Sequence, residues 1–290
     1  MIPMQGPAGM LCDVLGPESR HWFCTKAPVH GWTLTHLRRL IPSLTRAQLE
    51  EIYRPMLKWT DFWLTHRDLD GSGLPAILHP NEAFDNTTHT ATHGPCKPPE
   101  HAAYLVLQCE AMASLAQELG HAEDSKRMTA ARRRVLDIML RDLWNGRRFV
   151  ARAVAGDRTP EGESVWQYVP LLLGQRLPAD VRRTLVKGLT RPGGVWTEHG
   201  LATEALDSPQ FDATSYVRGP IWTPPNWFLP EALDAVGESA RAAELRRNYL
   251  ATLTRSGMSE SFDPHTGGGR EDPAYNWTAA SYLWMTAPDA

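Results

Sequence analysis

Apolar residues recur at helical spacing through most of the chain, and strand-like alternation is scarce. The clearest stripe is Leu49, Ile52, Tyr53, Met56, Trp59, Phe62 and Trp63; its steps of three and four predict a helix over about 46–65. Thr45 and Gln48 stand at its start as a capping-box pair. Similar stripes predict helices over about 101–119, ended by Gly120, and 122–143, with shorter ones near 31–40, 163–173, 179–190, 224–236, 239–255 and 274–286. Only 143–155, with Phe149, Val150 and Ala151, reads as a small hairpin.

The connections alternate in length. Short links fall at 41–44, 119–121, 175–178 and 236–238, and between them lie the segment up to His30 and the long stretches 67–100, 144–162, 191–223 and 257–273. Short links make consecutive helices antiparallel neighbours, so every second connection emerges at the same end of an up-down array. The long, Gly- and Pro-rich loops are therefore expected to gather at one rim of a single all-α domain spanning 1–290.

Composition narrows the classes of partner. A net charge of -3, from 30 basic and 33 acidic residues without long like-charge blocks, gives no reason to expect nucleic acid or an anionic membrane. No run approaches the roughly 18 apolar residues of a membrane span. Cys12, Cys24, Cys96 and Cys109 match no metal or redox spacing, and reduced thiols in a cytoplasmic protein are the simplest reading. Trp is in excess, at 11 against 7 Phe and 7 Tyr, which suits either a helix-contact core or a site that stacks on sugar rings.

Three loops carry candidate chemistry. The first, RDLDGSGLPAILHPNEAFDNTTHTATHGPCKPP, holds Asp85 between Phe84 and Asn86, a setting for a general acid or for a plain Asx-turn. Its Asp68-x-Asp70-Gly-x-Gly73 opening lacks the later oxygen positions of a calcium loop and reads as a tight turn. His79, His89 and His93 lack the spacing of a zinc site, so no metal and no cofactor is expected. The second loop ends in SYVRGPIWTPPNWF, where prolines stiffen the backbone around Arg218, Trp222, Asn226 and Trp227. The third, GMSESFDPHTGGGREDP, offers Glu260 and Asp263; its glycine run follows no strand, which argues against a phosphate cradle.

Together these loops resemble the motifs of glycoside hydrolase family 63, a family of inverting α-glucosidases to which trehalases are more distant kin. The family's Tyr-Trp-Arg-Gly-Pro-Ile-Trp run appears as Tyr216-Val217-Arg218-Gly219-Pro220-Ile221-Trp222. Its base region, Glu-x-Tyr/Phe-Asp-Pro-x-Thr-Gly, appears as Glu260 to Gly267, and its acid region is similar to Glu82-Ala83-Phe84-Asp85-Asn86-Thr87. Asn276-Trp277-Thr278-Ala279 resembles the closing element.

The resemblance implies an (α/α)6 toroid that hydrolyses an α-glucosidic bond in a small saccharide or glycoside with inversion. Asp85 is then the general acid and Glu260 the general base, about 6.5–9.5 Å apart. Arg218, Trp222, Trp166, Asn86, Gly219 and Trp277 would line the sugar, with Trp196 and Glu198 as weaker candidates, and Val217 in place of the usual Trp would thin one wall. About nine helices fall short of the roughly twelve in six hairpins, so the ring is expected to be incomplete at its N-terminus, its edge covered by self-association or by an upstream segment. Two other readings stay open: a non-catalytic carbohydrate-binding or assembly module derived from such an enzyme, and a sugar isomerase on the same scaffold. Turnover separates the first from hydrolysis, and product mass the second.

Overall fold

The computed structural model describes residues 5–6, 8–85, 87–91, 94–157 and 160–287. Eight α-helices are present among them: α1 (His30–Leu40), α2 (Arg46–Asp61), α3 (Pro99–Leu119), α4 (Ala122–Asp142), α5 (Ala179–Leu189), α6 (Thr223–Ala235), α7 (Ser239–Ser256) and α8 (Asn276–Thr286). A ninth helical stretch, Val165–Arg176, is wound as a 3-10 helix and breaks at Gly174. These boundaries lie close to those the apolar stripes predict, and the Thr45–Gln48 capping box closes reciprocally at the start of α2.

Two of the short links owe their sharpness to glycine. After α3 the N–H of Gly120 donates to Gln117 O and that of His121 to Ala116 O, a Schellman motif in which Gly120 takes a φ of 85°. Gly237 repeats the pattern after α6, its N–H donating to Asp234 O and that of Glu238 to Leu233 O at a φ of 88°. A side chain at either site would meet the left-handed penalty, so the turn and the antiparallel return are written into one residue.

The chain divides into two units. The first comprises 1–85, 92–144 and 151–159, and the second 86–91, 145–150 and 160–290. In the first, α3 is buried nearly all round, with Ala103, Val106, Cys109 and Met112 inaccessible, while α2 turns Leu49, Tyr53, Met56 and Trp59 inward. Trp59 Nε1 donates to His30 Nδ1 at 3.1 Å, and burial lowers the His30 pKa to about 4, so this imidazole is neutral. Beyond Asp61, α2 widens into a π-type turn, Phe62–His66, that delivers Trp63 and Arg67 to the interior. All four cysteines are buried and none forms a disulfide; burial pushes the Cys109 thiol up to about 12.

Only the turn of the hairpin expected over 143–155 forms: Trp144 and Phe149 each carry a single β-bridge, and between them Asn145 N donates to Arg148 O at 3.2 Å. Arg152–Ala153 pairs instead with Cys96–Lys97, more than fifty residues earlier in sequence, and Ile77 bridges to Cys96 on the other side. Strand pairing is a long-range choice, and a local apolar run cannot announce its partner.

The second unit packs α6 against α7 and against the Val165–Arg176 stretch, with a core of Ile221, Tyr249, Leu253 and Phe262. Its one three-stranded ladder among the described residues joins Ile221–Trp222, Ser261–Phe262 and Gly269–Arg270, all antiparallel. Asn226 is buried on α6, and its side-chain amide completes the backbone of the preceding hairpin: Oδ1 accepts from Leu201 N at 2.7 Å and Nδ2 donates to Leu201 O and Trp222 O. It is therefore a structural residue rather than one turned to a ligand. Among the described residues no helix is long and apolar enough to cross a membrane.

Candidate active site

Asp85 belongs to the first unit and Glu260 to the second, and the surroundings of each are built differently. In the second unit, Glu260 stands immediately before the central strand of the ladder. Trp222 lies opposite Ser261 and Ile221 opposite Phe262, so backbone pairing binds the Arg-Gly-Pro run to the acidic segment. The Glu260 N–H donates to Asp272 O at 2.7 Å, which fixes its main chain.

The side chain is half-buried. The Tyr216 hydroxyl donates to Glu260 Oε1 at 2.7 Å, and Oε2 has no hydrogen-bond partner among the described residues. Tyr216 is in turn aimed by Trp222, whose Nε1 donates to the Tyr216 carbonyl at 2.8 Å and whose ring meets the phenol edge-on at 4.9 Å. Three residues past Glu260, Asp263 is committed to a turn: its Oδ1 accepts the N–H groups of His265 and Thr266 at 2.9 and 2.8 Å. Burial pushes its carboxyl up, but those donors outweigh it and hold the pKa below the usual range.

The loop bearing Tyr216 and Arg218 is closed at both ends. Asp212 N donates to Arg218 O at 2.7 Å, Arg218 N donates to Ser215 Oγ at 2.8 Å, and Asp212 Oδ1 receives both the N–H and the hydroxyl of Thr214. Gly219 sits where a Cβ would lie 2.6 Å from Asp212 O, so only glycine fits, and its N–H donates to Thr203 Oγ1 at 3.0 Å. Arg218 is half-buried, whereas Val217 faces inward at 1% exposure and serves packing.

The other expected wall residues scatter in character. Trp277 is 50% exposed at the head of α8, and its ring is 5.5 Å from Tyr275, which meets Trp222 edge-on at 6.2 Å. Trp166 is 4% exposed on a stretch tied down where Val165 N donates to Thr203 O. Trp196 pairs with Leu201 across a hairpin, and the Glu198 side chain is turned outward at 82% exposure. Asn86 lies outside the described residues, as does His93.

Asp85 is half-buried in the first unit, at the end of an irregular loop. What fixes that loop is Glu82. Its two oxygens accept both Arg67 guanidinium nitrogens at 2.6 and 2.8 Å, together with Thr25 N at 3.0 Å and Leu78 N at 2.8 Å. Both partners are nearly inaccessible, and the Arg67 guanidinium lies 5.6 Å from each of the Phe62 and Trp63 rings. Upstream, Asp68 accepts Gly73 N and Asp70 accepts Ser72 N, the tight turn that the sequence implies. Burial raises Asp70, but the hydrogen bonds from Lys97, at 2.6 Å, and Ser72 outweigh it and hold its carboxyl low. His79 caps a short 3-10 turn by accepting Asn81 N.

The segment 87–91, just downstream of Asp85, belongs to the second unit, where Glu204 holds it. Buried at 1% exposure, Glu204 accepts the hydroxyls of Thr88 and Ser208, each at 2.5 Å, and the N–H of Glu163 at 2.8 Å. Sequence reasoning assigned no part to Glu82, Glu204 or Tyr216. Glu82 and Tyr216 open two of the matched motifs, which was a usable signal; Glu204 had none.

The structure superposes with a TM-score of 0.87 on the crystal structure of GH63 mannosylglycerate hydrolase from Thermus thermophilus in complex with Tris and D-glycerate, at 22% identity over 98% of this chain and 86% of that one. A neutral trehalase from Saccharomyces cerevisiae follows at a TM-score of 0.70 and 14% identity, over 92% of this chain and 64% of that one. The fold is thus that of the mostly helical α/α toroid enzymes.

The family model described as the mannosylglycerate hydrolase MGH1-like glycoside hydrolase domain matches residues 3–278, and the chain belongs to that family. In sequence it is 34% identical over 119 residues to a mannosylglycerate hydrolase from Thermus thermophilus, covering 41% of this chain and 28% of the relative. It is 29% identical over 177 residues to mannosylglycerate hydrolase from Rubrobacter radiotolerans, covering 59% and 39%. The aligned part thus spans less than half of the length of these relatives.

Proposed function

We propose that this chain, acting as one catalytic domain, hydrolyses the α-glycosidic bond of a small hexoside with inversion at the anomeric carbon. Water adds to that carbon from the face opposite the leaving group and gives its proton to Glu260. The bond to the leaving oxygen breaks as Asp85 supplies that oxygen with a proton, releasing the sugar and an alcohol. Single displacement with inversion needs a gap of about 6.5–9.5 Å between acid and base, the room one water takes. Arg218 contacts the hexosyl ring by hydrogen bonds to hydroxyls and the half-exposed Trp277 by its apolar face, with Gly219, Trp166 and Trp222, the two indoles only 4% and 2% exposed, as the backing of the wall.

The observation that carries this reading is the state of Glu260: a half-buried carboxylate on a rigid ladder, with one oxygen held by Tyr216 and the other open to accept a proton. Membership of the family supports the reaction class. The relatives are mannosylglycerate hydrolases, and solved structures of one hold glucose or D-glycerate, which supports an α-mannosyl or α-glucosyl unit joined to a small carboxylate-bearing alcohol.

The test is a screen of mannosylglycerate, glucosylglycerate and α-linked glucose disaccharides, repeated with Asp85→Asn and Glu260→Gln. Hydrolysis of at least one substrate that is lost in both variants, with circular dichroism unchanged, is the expected result. Wild-type rates in either variant would end the assignment.

A further inference from the structure

Glu260 has two chemically equivalent oxygens, yet the structure treats them differently. One is engaged by Tyr216 and the other is open, and everything that produces this asymmetry lies within the second unit. We propose that Tyr216 is a positioning residue that selects Glu260 Oε2 as the proton acceptor and holds the carboxylate plane for attack; this rests on Glu260 being the general base.

A lone glutamate side chain is poorly restrained at its end. Its terminal torsion is broad and two-fold, so a half-buried carboxylate left to itself presents either oxygen over a range of planes. A proton transfer in the transition state asks for one oxygen at one angle, and misplacement lowers the rate without changing substrate affinity. A charge-assisted hydrogen bond from a phenol supplies that restraint, provided the phenol is itself fixed.

Tyr216 is fixed although it is 43% exposed and therefore not held by burial. Trp222 grips its carbonyl and its ring. Arg270, on the third strand of the ladder, donates to the carbonyls of Ala213 and, at 2.9 Å, Thr214, two residues before the tyrosine. Ladder pairing places Arg270 opposite Ser261 and Ser261 opposite Trp222. The strand next to Glu260 is thus flanked by the two residues that orient Tyr216, and the phenol and the carboxylate are carried by one rigid frame. A surface tyrosine with no task beyond packing would need neither support.

The experiment compares steady-state kinetics of the wild type, Tyr216→Phe and Arg270→Met on the substrate found in the screen. It adds azide rescue of Glu260→Ala, alone and combined with Tyr216→Phe. Azide attacks the anomeric carbon directly and carries no proton to be removed, so the rescued reaction does not use the carboxylate that Tyr216 orients. Tyr216→Phe is expected to lower kcat roughly 10- to 100-fold, the equivalent of one charge-assisted hydrogen bond, with KM within about twofold. Arg270→Met is expected to act in the same direction but less. The azide-rescued rate is expected to be the same with Tyr216 or Phe at that position.

A wild-type kcat in Tyr216→Phe, a loss seen only in KM, or an equal loss in the azide-rescued background would overturn the inference while leaving hydrolysis standing. Absence of any turnover by the wild type would instead remove the general-base reading, and this inference with it.

Discussion

The region that carries Asp85 and the region that carries Glu260 place one acidic group each by opposite means. Asp85 ends a loop with almost no regular backbone, and its position depends on side chains: a buried Glu82 that gathers Arg67, Thr25 and Leu78. Glu260 stands beside a three-stranded ladder, and its position depends first on main-chain pairing and only then on Tyr216. A loop organised around one carboxylate fails as a whole when that carboxylate loses its partner. A ladder tolerates the loss of any one side chain and fails only in aim.

The largest expected effect divides the two groups by chemistry. On a natural glycoside, Asp85→Asn and Glu260→Gln should each lower kcat by about a thousandfold or more. On an α-glycosyl fluoride, whose leaving group needs little protonation, Asp85→Asn should recover to within about tenfold of wild type while Glu260→Gln stays low. Equal recovery of both would show that the assignments of acid and base are wrong.

Next in size is the buried pair. Arg67→Ala strands the Glu82 charge in a site of about 1% exposure and should cost about 3–5 kcal/mol in urea unfolding. A change of less than 1 kcal/mol would mean that Glu82 is not the organiser of the loop. Glu204 offers the matching test in the second unit, where its donors include two hydroxyls and a backbone N–H rather than a guanidinium. Glu204→Gln keeps one acceptor oxygen and should cost about 1–3 kcal/mol. A loss as large as that of Arg67→Ala would erase the contrast between the two anchors.

The smallest effect is in pH. Burial raises the Glu163 carboxyl, but the hydrogen bond and charge of Arg191, the Tyr168 hydroxyl and the Arg148 charge outweigh it and hold the group below its ordinary range. In the first unit Asp124 is also held low, foremost by the Tyr53 hydroxyl at 2.7 Å. A depressed folded pKa adds stability that is present in full above the unfolded value, about 4.3 for Glu and about 3.9 for Asp, and is lost as pH falls through the folded one. Urea midpoints should therefore decline on acidification below about pH 4.3, and Glu163→Gln should flatten part of that decline. An unchanged slope in the variant would remove Glu163 from the account.

Much of the fold was legible because helices are local. A stripe with a 3.6-residue period, a capping box at Thr45 and a glycine at 120 state where a helix begins, which way it faces and where it stops. The 143–155 hairpin does not continue beyond its turn for the converse reason, since Arg152–Ala153 finds its partner at Cys96–Lys97. In the candidate site, the residues that the family motifs single out were readable and their supports were not. Glu82, Glu204 and Arg270 act in part through hydrogen bonds to residues 15 to 116 positions away, and no spacing rule encodes such a distance. Asn226 is a support of the same kind, its amide bonded to the backbone of Leu201, 25 residues away, and of Trp222.

The most direct test of the central claim is the stereochemistry of the first product. Proton NMR of an α-hexoside mixed with the protein, recorded faster than mutarotation, should show the β-anomer of the free sugar appearing first, because water enters from the face opposite the leaving group. The α-anomer appearing first would mean retention, and a mechanism in which Glu260 activates water for a single displacement would be wrong.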